Sequence, residues 1–160
     1  MVSRKVGFIG LGSIGKPMAN NILQKGYDLR VFDLRSEPMK ELEAMGAKLA
    51  KNPKELSSQV DVVITMVLGP RETREVVFGT NGVIEGLRPG SILIDMSTSS
   101  PTLTKEIAHK LGEIGCKMID APVTRGIPDA EKGTLVTMVG GDPLVLDQCR
   151  DILECMASEI

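Results

Sequence analysis

The chain has 160 residues, 42% hydrophobic and 25% charged, the make-up of one ordinary globular domain long enough to bury a core without staples. A formal net charge of −2 offers no electrostatic footprint for nucleic acid or for an anionic membrane surface. The only aromatic residues are Phe8, Tyr27, Phe32 and Phe78, too few to make a stacking platform for single strands.

The first element is an apolar run at residues 6–9 that enters Gly10-Leu11-Gly12-Ser13-Ile14-Gly15 and then a helical-period segment at 14–25. A strand, a glycine-rich turn and a helix in this order form an anion cradle. Gly10 allows the sharp turn off the strand, Gly12 lets a pyrophosphate approach the backbone, and Gly15 lets the helix pack closely. The positive end of the helix then faces the anion. A second apolar run, 29–32, ends at Asp33, about where a carboxylate accepts hydrogen bonds from an adenosine ribose. Together these features predict dinucleotide binding. The charged and apolar N-terminal residues read as leading straight into the first strand, with no leader peptide.

Further runs at 60–66, 92–94, 118–119 and 135–139 alternate with helical segments at 38–45, 71–77, 103–111 and 143–156. The alternation predicts an α/β fold, a doubly wound and mostly parallel sheet with helices on both faces. Gly26 stops the first helix, Pro89-Gly90 marks the turn before the fourth run, and Pro70 and Pro101 stand where helices begin. Ligands in such sheets bind beyond the carboxyl ends of the strands. The loops to watch are therefore residues 10–15, 33–35, 67–70, 95–100 and 121–126. Cys116, Cys149 and Cys155 are an odd count without framework spacing, read as reduced, buried thiols in a cytosolic protein. No ligand cluster suggests a metal, His109 reads as a solvated side chain, and no apolar run approaches membrane-spanning length.

Beyond these local signals, Gly10 through Ala19, Asp95-Met96-Ser97-Thr98 before Pro101, Asp120 through Gly126, Gly133-Thr134-Leu135 and Val139-Gly140-Gly141-Asp142 occur in an order that resembles the β-hydroxyacid dehydrogenases. That family includes 3-hydroxyisobutyrate dehydrogenase and tartronate semialdehyde reductase types, and the likeness covers almost the whole chain. It implies a Rossmann-like domain over residues 1–160. It also implies NAD(P)-dependent hydride transfer between nicotinamide and a short 3-hydroxyacid or its semialdehyde, in a cytoplasmic protein. By the resemblance, Gly10, Leu11, Gly12, Ser13, Ile14 and Gly15 wrap the pyrophosphate and Asp33 takes the ribose. Val67 and Leu68 line the ribose path, Thr98 lies beside the nicotinamide, and Ser97, Thr124, Arg125 and Gly126 face a small carboxylate substrate. The family's catalytic lysine and all-helical C-terminal domain are expected beyond Ile160, so no catalytic residue is assigned here and the chain alone is expected to be inactive. The full-length protein is expected to be a homo-oligomer, with Leu153 and Met156 exposed where that domain docks.

The family usually has Ser-Gly-Gly where this chain has Thr124-Arg125-Gly126. A guanidinium there suits a substrate with a second anionic group, as in the sulfolactaldehyde-reducing branch; a solvent-facing arginine is the alternative. Asp33 favours NAD over NADP, since a carboxylate repels a 2′-phosphate, whereas Arg35 could accept that phosphate, stack on adenine or face solvent. Two other readings remain: an enzyme of the 6-phosphogluconate dehydrogenase type, and a non-catalytic dinucleotide-binding module.

Overall fold

The alternating apolar runs and helical segments resolve into strands and helices. The computed structural model describes residues 4–160; the expectation that no leader peptide precedes the first strand falls partly on residues 1–3, outside the described residues. In chain order the elements are β1 (Lys5–Ile9), α1 (Gly15–Gln24), β2 (Asp28–Phe32), α2 (Ser36–Ala44), β3 (Lys48–Leu49), α3 (Pro53–Ser58) and β4 (Val62–Thr65). Then come α4 (Pro70–Phe78), a 3-10 turn (Val83–Glu85), β5 (Ile92–Asp95), α5 (Pro101–Glu113), β6 (Lys117–Asp120) and β7 (Val123–Thr124). The last are α6 (Ile127–Lys132), β8 (Leu135–Thr137), β9 (Gly140–Gly141), α7 (Pro143–Leu153) and β10 (Ala157–Glu159).

The main sheet has the order β3-β2-β1-β4-β5-β6-β9. All its pairings are parallel except that of β9 with β6. The central strands are buried on both faces, which is why they read as continuous apolar runs rather than alternating ones. On one face Met18, Ile22, Leu42, Val145 and Ile152 pack against Val6, Phe8, Val62 and Ile94. On the other, Leu56, Val77, Leu103 and Ile107 pack against Ile9, Val63 and Leu93. The expected doubly wound architecture is therefore present, and the chain reverses direction at β1, which lies between β2 and β4.

Local chemistry explains where helices start. Asn52, Ser100 and Asp142 each cap a helix by accepting a backbone amide, and proline opens each of those helices, so an orphan donor is satisfied and the missing proline amide is harmless. Helix α1 has no side-chain cap.

Three expectations need correction. The run at 135–139 is a strand only as far as Thr137, because the chain then leaves the small sheet and joins the edge of the main one at Gly140. The last helix stops at Leu153, and the chain then runs as β10 alongside β8. Leu153 and Met156 are not an exposed docking surface: Leu153 at the end of α7 and Met156 just after it are both fully buried in the core. The second sheet, β10-β8-β7, and the short elements β3, α3 and α6 were not anticipated; two- and three-residue strands carry too little periodicity to read. Among the described residues no helix is long and apolar enough to cross a membrane.

Candidate functional site

The carboxyl ends of β1, β2, β4 and β5 bring Gly10–Gly15, Asp33, Val67, Leu68, Ser97 and Thr98 to one edge of the sheet. The three glycines of the turn are there for different reasons. Gly10 has φ +96°, and a β-carbon on it would lie 2.1 Å from the Met66 carbonyl oxygen. A β-carbon on Gly15 would lie 2.0 Å from the Gly10 carbonyl oxygen. The protein's own packing thus demands both. A β-carbon on Gly12 would meet nothing within 4 Å, so packing does not require that glycine, and the open space lies in front of the turn. The amide of Lys16 reaches the Gly12 carbonyl at 3.0 Å, while the amides of Gly12, Ser13 and Ile14 precede any intrahelical bond and the helix has no side-chain cap. A helix start with such amides can accept an anion.

Asp33 lies at the end of β2, only 11% exposed at its side chain. Its Oδ2 accepts the Leu11 amide at 2.7 Å and its Oδ1 accepts the Arg35 amide at 2.8 Å. Arg35 bends back, its Nε donating to Asp33 Oδ1 at 3.1 Å and its Nη2 to the Leu11 carbonyl at 3.0 Å. Burial pushes the Asp33 carboxyl up, but the amides of Arg35 and Leu11 and the Arg35 guanidinium outweigh it and hold the group below its usual range. Asp33 is therefore a fixed anion with lone pairs left for a further donor. Leu34 and Leu68, next to these loops, are 96% and 92% exposed.

Several assignments change with the geometry. Leu11 was expected to wrap the pyrophosphate, yet its side chain is in the core and its amide and carbonyl are taken by Asp33 and Arg35; it joins turn to acid. Ser97 was expected to touch substrate, yet it is completely buried and its hydroxyl accepts the Val67 amide at 2.9 Å. Thr98, one residue on, is exposed, as are Gly12 and Ser13, while Ile14 and Val67 are half-buried. Thr124, Arg125 and Gly126 are exposed but belong to the edge of the small sheet. Arg125 has φ +80° and donates to the Thr134 carbonyl at 2.7 Å and to Glu159 Oε1 at 2.5 Å, so its guanidinium is already paired.

The sequence motifs include Asp95 and Asp120 without giving either a role; the two are register partners at the ends of β5 and β6. Asp95 is fully buried, and burial raises its carboxyl despite bonds from Ser97 and Thr65. Burial and the Asp95 charge raise Asp120 as well. An acid closing an otherwise apolar strand, as in Ile92-Leu93-Ile94-Asp95, was the available signal. The Ser99 hydroxyl in the same loop is buried without a partner among the described residues. Cys116, Cys149 and Cys155 are buried free thiols and His109 is exposed. Among the described residues no three potential metal ligands stand together.

Comparison with known proteins agrees with this geometry. Residues 5–160 match the family described as the NAD binding domain of 6-phosphogluconate dehydrogenase. The chain is 39% identical over 158 residues to a probable mitochondrial 3-hydroxyisobutyrate dehydrogenase of Dictyostelium discoideum, covering 99% of this chain and 49% of that protein. It is 40% identical over 155 residues to 3-sulfolactaldehyde reductase of Escherichia coli, covering 97% and 52%. Among solved structures, 3-hydroxyisobutyrate dehydrogenase of Mycobacterium tuberculosis superposes with a TM-score of 0.92 at 33% identity, covering 99% of this chain and 54% of that one. The chain spans about half the length of the relatives it matches.

Proposed function

Because the chain belongs to the family of NAD-binding domains typified by 6-phosphogluconate dehydrogenase, as found in β-hydroxyacid dehydrogenases, we propose that it is the cofactor-binding half of an NAD-dependent enzyme acting on a short 3-hydroxyacid or its semialdehyde. The observation that carries this reading is the space before Gly12, the one glycine of the turn that packing leaves unexplained, in front of a helix start without a side-chain cap. The amides of Gly12, Ser13 and Ile14 would hold the pyrophosphate, Asp33 the adenosine ribose, and the loops at Val67 and Thr98 the nicotinamide half. When bound, the nicotinamide supplies the hydride donor or acceptor. The protein's part is to orient that ring and to keep water from it.

Asp33 supports NAD over NADP. Two unit charges about 4 Å apart at an effective dielectric near 20 repel by about 4 kcal/mol, and even a third of that is about tenfold in affinity. Calorimetric titration of this chain with NADH and with NADPH tests the reading, repeated with Asp33→Ala. Tighter NADH binding that the variant abolishes or reverses is expected; no binding of either dinucleotide refutes it.

The finer substrate reading concerns Arg125. A second anionic group on the substrate would have to draw its guanidinium from Glu159, an exchange of one carboxylate for another anion that a bidentate partner can drive. The sulfolactaldehyde reductase among the relatives supports this class. In the full-length enzyme, Arg125→Ala should lose turnover on two-anion substrates and keep it on one-anion ones; equal losses refute it. A homo-oligomeric, cytosolic full-length protein completes the proposal, its three free thiols in keeping with a reducing compartment.

A further inference from the structure

The loops after β4 and β5 are tied together by a relay beneath the site. Thr65 and Asp95 are register partners in the two strands, so their side chains share one face, and both are fully buried. Asp95 Oδ1 accepts from Thr65 Oγ1 at 2.9 Å and from the Ser97 amide at 3.1 Å. Ser97 in turn accepts the Val67 amide on its Oγ at 2.9 Å, and that hydroxyl lies 3.5 Å from the Thr65 carbonyl oxygen. Asp95 Oδ2 is buried with no partner among the described residues.

Stability alone argues against such a residue. A buried carboxyl with one orphan oxygen is costly, and its neighbours on that face, Ile9, Val63 and Leu93, show that an apolar side chain fits there. The relay's product is geometric: it sets the Val67 backbone against the Ser97–Thr98 loop. The strand order says which part of a ligand this meets. With the glycine turn on β1 and Asp33 on β2, the far half of a dinucleotide extends the other way, over β4 and β5.

We infer that Asp95 is a positioning residue: acting through Ser97 it clamps the backbone at Val67, so that the loops after β4 and β5 meet the nicotinamide half of the dinucleotide as one edge. The inference rests on the dinucleotide reading above. Ser97→Ala removes the acceptor of the Val67 amide. Asp95→Ala removes the acceptor shared by Thr65 and Ser97, and Asp95→Asn keeps an oxygen for both donors.

The test is calorimetry of the chain with NADH and with ADP-ribose, which lacks the nicotinamide, together with amide exchange. Ser97→Ala and Asp95→Ala should each weaken NADH binding about tenfold, the worth of one hydrogen bond, with ADP-ribose affinity unchanged. Asp95→Asn should restore NADH binding. The Val67 amide should exchange faster in Ser97→Ala, while that of Met66, bonded to the Ile9 carbonyl at 2.9 Å, should not. If Asp95→Ala does not fold, Ser97→Ala and Asp95→Asn decide. Equal losses for NADH and ADP-ribose, or unchanged NADH affinity in folded Ser97→Ala, would overturn the relay alone. A wild-type chain that binds neither ligand would overturn the dinucleotide reading and the relay with it.

Discussion

Asp33 accepts the amide of Leu11, 22 residues earlier, at 2.7 Å, so the acid that closes β2 also holds the glycine turn that follows β1. One carboxylate thereby sets the distance between the glycine turn and the carboxyl end of β2. Holding Asp33 in the folded chain below its usual 3.8 has a consequence for stability: burial opposes the charge, but the Arg35 and Leu11 amides and the Arg35 guanidinium overcome it. A carboxyl lowered in the folded state contributes stability that is complete above the unfolded value and lost as pH falls through the folded one. The stability gap between wild type and Asp33→Asn should therefore be constant from neutral pH to about pH 5 and close below about pH 4. Urea unfolding across that range measures it; a gap that persists undiminished at low pH would contradict the argument.

The glycines of the turn should separate by phenotype. Gly15→Ala places a β-carbon against the Gly10 carbonyl oxygen and should cost about 1–3 kcal/mol. Gly12→Ala meets open space, so its thermal midpoint should stay within about 2 °C while, on the proposed dinucleotide reading, NADH affinity falls about tenfold or more, because the added methyl would stand in the path of the pyrophosphate. Thermal unfolding and calorimetry on the same samples decide. Loss of stability in Gly12→Ala without loss of binding would reverse the assignment.

Arg125 adopts a left-handed backbone conformation with φ +80°, which costs a non-glycine residue about 1–2 kcal/mol. Its ion pair with Glu159 is solvent-exposed at both ends and is worth about 0–1 kcal/mol. Arg125→Gly should accordingly be neutral or more stable by up to about 1 kcal/mol, whereas Arg125→Ala should be slightly less stable. Denaturant midpoints of the two variants test this, and a clear destabilisation by glycine would show the pair to be worth more than its exposure suggests.

Thr73, in α4, is fully buried with its hydroxyl unpartnered among the described residues. Val has nearly the same shape and no polar group to desolvate, so Thr73→Val should stabilise the chain by about 1 kcal/mol. A loss of stability on chemical unfolding would reveal a hydrogen bond that the hydroxyl makes.

The thiols should be inert in the native chain. Burial pushes Cys149 up to about 11, and Cys116 and Cys155 are also raised, first by burial. Since the thiolate is the nucleophile, none should react with dithionitrobenzoate near pH 8 until guanidinium unfolds the protein. Rapid native labelling of any one would contradict its burial.

How much of this was legible in the sequence follows from the range of each interaction. The glycine turn, the acid closing the second run and the alternation of apolar runs with helical segments are local patterns, set by backbone sterics and side-chain period, and they determined the order of the longer elements, the mostly parallel sheet and the turn at Gly10–Gly15. Helix starts at Pro70 and Pro101 were legible for the same reason. What tertiary structure alone decided depends on partners far apart in the chain. Ser97 is hidden where the loop after the neighbouring strand β4 brings the Val67 amide to its hydroxyl. Arg125 is paired because β10 returns beside β8 and brings Glu159 to it. Leu153 and Met156 are buried because α7 packs on the sheet face lined by α1. Pattern fixes which residues can meet a ligand; only the folded chain, by spending some of those groups on one another, decides which remain free to do so.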